Sequence, residues 1–268
     1  MTKIDLQTET IDVPYPDAES IALEIMMGAS GDVRVAGGTA DRFVAGTVEY
    51  NIAEWKPEVQ QRGSTVRIVQ WPRIEDAGWE FLNIENRWNL RLGSAKPFSL
   101  DVGIGANRGR WDLGGLPLTD LRVQTGASHN TFSFDAPNPV TMQTLEVGAG
   151  AAAVELDGLL NANFRRMDVK GGAGQVTLRF TGAELKQDAR IKIEGGAGHF
   201  AITVGETIPA RVKTTGLMAV VAQGAFSRQS GLPFFSGAYT TPAYDTATGP
   251  RLEFEITVGV GAITLDTR

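Results

Sequence analysis

The sequence predicts an all-β protein, a single-domain β-solenoid built as a stack of turns of about 22 residues with irregular covering segments at both ends. Three observations predict it. A two-armed motif recurs along the chain: apolar-x-apolar, a glycine corner, then apolar-x-apolar again. The corner glycines are evenly spaced. And 32 Gly and 12 Pro in 268 residues mark many turns and few long helices.

The motif begins as LEIMMGASGDVRV from Leu23, and returns as LDVGIGANRGRWDL from Leu100 and LRVQTGASHNTFSF from Leu121. It continues as LEVGAGAAAVEL from Leu145, MDVKGGAGQVTL from Met167 and IKIEGGAGHFAI from Ile191. A degenerate copy starts at Arg211, and FEITVGVGAITL closes the series from Phe254. The corner glycines are Gly28, Gly105, Gly126, Gly150, Gly172, Gly196 and Gly259. From Gly105 to Gly196 they are separated by 21, 24, 22 and 24 residues.

Each copy reads as two short strands. Period-two alternation turns Leu145, Val147, Met167, Val169, Ile191 and Ile193 inward, and likewise Val154, Leu156, Val176, Leu178, Phe200 and Ile202 beyond the corner. The glycine is expected to supply backbone angles that a Cβ forbids. One turn buries nothing alone; stacking at about 4.8 Å per step makes a continuous core. The chain then divides into an N-terminal β region or cap (1–99), regular repeats (100–221), a Gly/Pro/aromatic loop (222–252) and a closing repeat (253–268). The cap holds the runs FVAGTVEYNI and STVRIVQW.

A net charge of −6 argues against sequence-independent nucleic-acid binding, which needs a basic face. The chain has no cysteine, so disulfide, thiolate-metal and thiol-nucleophile chemistry is excluded. MTKIDLQTETIDV has no apolar stretch of signal-peptide length, and no 18-residue apolar run occurs. The expectation is a cytoplasmic protein without a membrane span.

Catalytic and cofactor motifs are weak. GGAGQV (171–176) and GGAGHF (195–200) resemble pieces of a dinucleotide fingerprint, but a strand follows each where a helix is required. His129 and His199 occupy equivalent corners three turns apart, about 14 Å, too far to share an ion. Glu146, Asp168, Glu155 and Asp157 are the carboxylates that a sugar-cleaving site would use, and solvated surface is the simpler reading. The outward ladder Asp101, Arg122, Glu146, Asp168, Lys192 reads as register and solubility. The sequence predicts no catalytic residue, cofactor or metal site.

Aromatic residues mark the candidate interface: Trp55, Trp71, Trp79 and Trp88 near the N-terminus, and Phe234, Phe235, Tyr239 and Tyr244 in the C-terminal loop. The leading reading is a non-catalytic structural or interaction protein whose partner is another protein or a second copy of itself, joined head to tail. The alternative is a glycan-binding module using the tryptophans; a solenoid enzyme ranks third.

Several stretches resemble the bacterial toast-rack family, the β-repeat region found also in cell-wall-active-antibiotic response (LiaF-like) proteins and adhesin-like domains. They are GASGDVRVAGG (28–38), GTVEYNIAEWKPEV (46–59), LDVGIGANRGRWDLGGLPLTDLRVQTGAS (100–128) and FSGAYTTPAYDTATGPRLEFEITVGVGAITLD (235–266). The resemblance implies a β-solenoid, a non-enzymatic role and association with the cell envelope.

Overall fold

The computed structural model describes residues 6–39, 41–70 and 85–268. The period-two alternation produces strands, and among the described residues seventeen of them join in one sheet. Each sequence repeat forms one rung of two arms. In β2 (Ile21–Thr39), β7 (Phe98–Asp112), β12 (Phe164–Phe180), β13 (Ala189–Val204), β14 (Ala210–Ala222) and β17 (Leu252–Thr267) one long strand carries both arms. In three rungs the arms are separate strands: β5 (Thr65–Gln70) with β6 (Asn86–Gly93), β8 (Leu118–Thr125) with β9 (His129–Ser133), and β10 (Met142–Ala149) with β11 (Ala153–Asp157).

Neighbouring rungs pair in parallel, and equivalent repeat positions stand in register. Leu23, Leu100, Leu121, Leu145, Met167, Ile191, Phe254 and Val212 form one ladder, every member at most 1% exposed. On the second arm Val35, Trp111, Phe132, Leu156, Leu178, Ile202 and Leu265 form another, every member at most 2% exposed. These apolar ladders merge into one buried cluster. Burying each such side chain contributes about 1.5–3 kcal/mol.

The corner glycines stack too, for a reason other than the one expected. None of the seven has the left-handed backbone that glycine alone adopts freely. Close approach is the constraint. A Cβ on Gly105 would lie 2.1 Å from the carbonyl oxygen of Gly28. On Gly126 it would lie 2.6 Å from that of Gly105, on Gly172 2.8 Å from that of Gly150, and on Gly259 2.8 Å from that of Gly196. Gly150 and Gly196 are looser, at 3.1 and 3.3 Å.

Rung order departs from chain order at both ends. Across the sheet the rungs run β5/β6, β2, β7, β8/β9, β10/β11, β12, β13, β17, β14. The closing repeat is therefore not terminal: β17 lies between β13 and β14, and β2 between β5/β6 and β7. Segment 222–252 is more than a loop. It holds β15 (Ser227–Ser230), β16 (Ser236–Thr240) and a short helix, α1 (Ala243–Thr246). At the other end β3 (Val44–Tyr50) pairs antiparallel with β6, β1 (Gln7–Val13) with β3, and β4 (Glu58–Arg62) with β5.

Gly105→Ala is expected to destabilise the fold by about 1–3 kcal/mol, the usual cost of overpacking, a fall in melting temperature of about 2–10 °C. Gly196→Ala should stay below about 1 kcal/mol, since its neighbour need yield only a few tenths of an ångström. Equal thermal shifts for the two variants would contradict the close-approach account.

Candidate interaction surface

The two ends of the stack are finished differently. At the C-terminal end β14 is the outermost rung. Its first arm, Arg211–Thr215, is covered by antiparallel β16, and β16 by β15. No strand among the described residues covers its second arm, Leu217–Ala222 (LMAVVA), which carries no charge. A turn caps only its start: Gly216 and Met218 donate their backbone N–H to the carbonyls of Phe235 (2.9 Å) and Phe234 (3.0 Å). Alternate residues of a parallel strand face the same side, so Val220 and Ala222 direct their backbone groups to the free edge.

That turn holds its aromatic rings in solvent. Phe234 is 68% and Phe235 60% exposed, beside exposed Leu217, Val221, Leu232 and Val260. Phe234 has φ of 66°, a left-handed conformation disfavoured for a bulky side chain. The Leu232 carbonyl, accepting from the N–H groups of Phe235 and Ser236, and the Ser236 hydroxyl, accepting from Leu232 N–H at 3.2 Å, pin the turn.

The opposite end carries antiparallel covers with charged edges. β1 presents Glu9 and Asp12, paired with Lys56 (3.1 Å) and Arg42 (2.6 Å), and β4 presents Glu58 and Arg62. Charged, antiparallel covers are how natural sheets block edge-to-edge pairing.

The predicted aromatic interface divides under this geometry. Phe234 and Phe235 are at the surface. Trp55 and Trp88 are core residues, 2% and 1% exposed, so the expectation that they face a partner is corrected. Their apolar area fills the N-terminal rungs, and Trp88 donates its indole N–H to Asn86 (3.2 Å). Trp71 and Trp79 lie outside the described residues. Tyr239 and Tyr244 are also buried. The Tyr244 hydroxyl donates to Glu253 at 2.5 Å, and its ring sits under the guanidiniums of Arg211 (5.2 Å) and Arg251 (5.0 Å). Burial, then the Glu253 charge, raises its phenol above the usual range.

The candidate carboxylates are surface ion pairs: Glu146 with Arg122 (3.7 Å), Asp168 with Arg166 (2.5 Å), and Glu155 and Asp157 both with Arg179 (3.4 and 2.9 Å). The predicted charge ladder is present, Asp101, Arg122, Glu146, Asp168 and Lys192 standing in register. His129 and His199 share a ladder with Ala153 and Gln175 between them, and His199 bonds the Thr264 hydroxyl at 2.9 Å. Among the described residues no three His, Asp or Glu side chains converge as metal ligands, and no helix is long and apolar enough to cross a membrane.

Comparison with known proteins assigns the family. The profile of the N-terminal domain of toast-rack (DUF2154) matches residues 2–137, half of the chain. The chain belongs to the toast-rack family. No curated protein matches it. Among solved structures, a candidate cell adhesion protein from Clostridium sporogenes is 21% identical, with a TM-score of 0.51 and coverage of 98% of this chain and 100% of that one. A candidate adhesin from Bacteroides fragilis is 12% identical, covering 98% of each chain, with a TM-score of 0.44. The first likeness carries the fold, all-β over nearly the full length.

Asp101 is a test of the charge ladder. Burial is the main cause that raises its pKa; Arg122 lowers it, and Glu24 and Glu146 raise it further. A carboxyl with a raised folded-state pKa holds its proton more tightly in the native state. Its ionisation therefore removes stability as pH climbs through the window above its ordinary value of 3.8. Asp101→Asn is expected to raise the melting temperature at pH 7 and to lose that advantage near pH 3.5. A pH-independent difference between the two melts would refute this.

Proposed function

We propose that this chain is a non-catalytic interaction protein: a single-domain β-solenoid that pairs with a second copy of itself through the C-terminal end of its stack and presents its charged, repetitive face outward, at the cell envelope. One observation carries the reading. A turn strained at Phe234 keeps two phenylalanines in solvent beside an uncharged strand edge that no strand among the described residues pairs with. Backbone strain of about 1–3 kcal/mol is retained where it serves a site, and an uncharged apolar edge is a template for pairing.

The difference between the ends selects the kind of assembly. A head-to-tail filament needs two complementary ends, and the N-terminal end is closed by charged strands. A single adhesive end favours the isologous solution, in which Leu217–Ala222 pairs antiparallel with its own copy about a two-fold axis. The uncharged strip brings no like charges together there, and the phenylalanines flank it. The glycan-binding alternative is weakened by the burial of Trp55 and Trp88. The enzyme alternative is weakened by the ion-paired state of Glu146, Asp168, Glu155 and Asp157.

Size-exclusion chromatography with light scattering on the full chain is expected to report a dimer of twice 28.7 kDa. Val221→Lys, which brings two cations to the two-fold, should weaken it about tenfold or more. Phe234→Gly should also weaken it while raising the monomer's stability by up to about 1 kcal/mol, because the left-handed strain is relieved. A wild-type monomer at high concentration would overturn the self-association. Long polymers would overturn the two-fold geometry.

A further inference from the structure

A cleft of about 180 Å³ opens at the C-terminal end of the stack, between the second arm of β14 and the strands that cover the first. Met218 and Val220 of β14, Tyr239 of β16 and the turn residues Pro233, Phe234 and Phe235 line it. Arg228 of β15 is the one charged residue in this lining among the described residues. It stands opposite Tyr239, and opposed residues project from the same face of a sheet, so its guanidinium lies on the cleft side. It donates to the Ser236 carbonyl at 3.3 Å and makes no ion pair among the described residues. An apolar cleft with a single uncompensated cation suits a ligand that is apolar and carries one negative group.

The open edge of β14 decides how such a ligand lies. Gly216 and Met218 already donate their N–H groups to the turn, which therefore fills the place of a further strand as far as Met218 and ends there. Beyond it, the backbone groups that no described strand pairs with belong to Val220 and Ala222. A strand that pairs with these two runs up against Phe234. In an antiparallel strand the end that meets the turn is the C-terminus. Its residues opposite Val220 and Ala222 face the interior, as these two do, so the last side chain enters the cleft and the terminal carboxylate comes to the Arg228 side. A parallel strand would bring its N-terminal ammonium there instead, like charge against like.

We infer that this end of the stack captures the free C-terminus of an extended peptide with an apolar last residue, and that the peptide competes with the second copy for Leu217–Ala222. The competition rests on the self-pairing proposed above; the capture does not. Main-chain bonds to an open edge give such recognition its affinity, and the pocket for the last side chain gives its selectivity. The contact between carboxylate and guanidinium is charge-assisted, one of the stronger bonds open to a peptide. The ligand is thus identified by its terminus: an amide in place of the acid keeps the strand and the side chain but loses the charge.

The test is fluorescence polarisation of the full chain with an N-terminally labelled hexapeptide in which threonine alternates with valine and leucine closes the chain, as free acid and as C-terminal amide. The acid is expected to bind saturably, and the amide about tenfold or more weakly. Arg228→Gln should weaken the acid about tenfold and leave the amide unchanged, which also shows that the variant is folded. Arg190→Gln, on the outer face of the first arm, should change neither. Excess acid peptide should convert the dimer to monomer in light scattering. A wild-type monomer that captures the acid peptide would uphold the capture and remove the competition. Absence of binding both to wild type and to Val221→Lys, whose edge is freed from self-pairing, equal affinity for acid and amide, or a dimer that takes up the peptide without dissociating would each overturn the inference.

Discussion

The close approach of one rung's corner to the next is the constraint on which the rest of the structure depends. Parallel rungs stand roughly 4.8 Å apart, and at the corner the carbonyl oxygen of each glycine projects into the space where the next rung's Cβ would be. At Gly105, Gly126, Gly172 and Gly259 a methyl group would meet that oxygen at under 3 Å and force the rungs to shift, while Gly150 and Gly196 leave a few tenths of an ångström more. The terminal rung keeps its glycine with a difference. In β14 the register shifts between Gly216 and Leu217, and Gly216 takes φ of 133° with Val258 O filling its Cβ position. The degenerate repeat is thus a bulged rung with a rung on one side only.

In-register stacking has a second consequence: each sequence position becomes a column. Apolar columns merge into the core. Polar columns become surfaces whose character changes along the stack. On the first arm's outer face charges alternate well enough to make ion pairs, and Glu146 and Asp168, neighbours of like sign, are each held by an arginine. On the second arm, near β2 and β7, arginines stand together instead. Towards β14 the positions in register with Arg110 hold Ala201, Thr264 and Val221, without charge. One repeating backbone therefore carries distinct surfaces at distinct heights.

The exchange of rung order at both ends places the first and last repeats of the chain inside the stack. β2 and β17 each have a rung on both sides, so every long strand near a chain end is paired on both edges. The exposed edges fall to β5/β6, which antiparallel strands cover, and to β14, which β16 covers along one arm only. That partial cover separates an end closed by antiparallel strands from one whose edge, among the described residues, is open along Leu217–Ala222.

Much of this was legible in the sequence. Spacing of the corner glycines and alternation of apolar residues determined the all-β class, the buried ladders from Leu145 to Ile202, and the outward charge column, because a two-residue period and a repeat length act locally and identically in every copy; the rung made by β5 and β6, inside the expected N-terminal cap, was not legible. The direction of the aromatic side chains was not legible. Trp55, Trp88 and Tyr244 carry the same composition signal as Phe234 and Phe235, and burial depends on which rung lies alongside. Rung order was not legible either, since strands with the same pattern fit equally well beside several others. Nor was the pairing of Arg34 with Arg110, which lie far apart in the chain and which only the register brings together. Local periodicity determined what each residue does within its rung; the pairing of rungs, a choice among non-local contacts of similar energy, decided which surfaces the molecule presents.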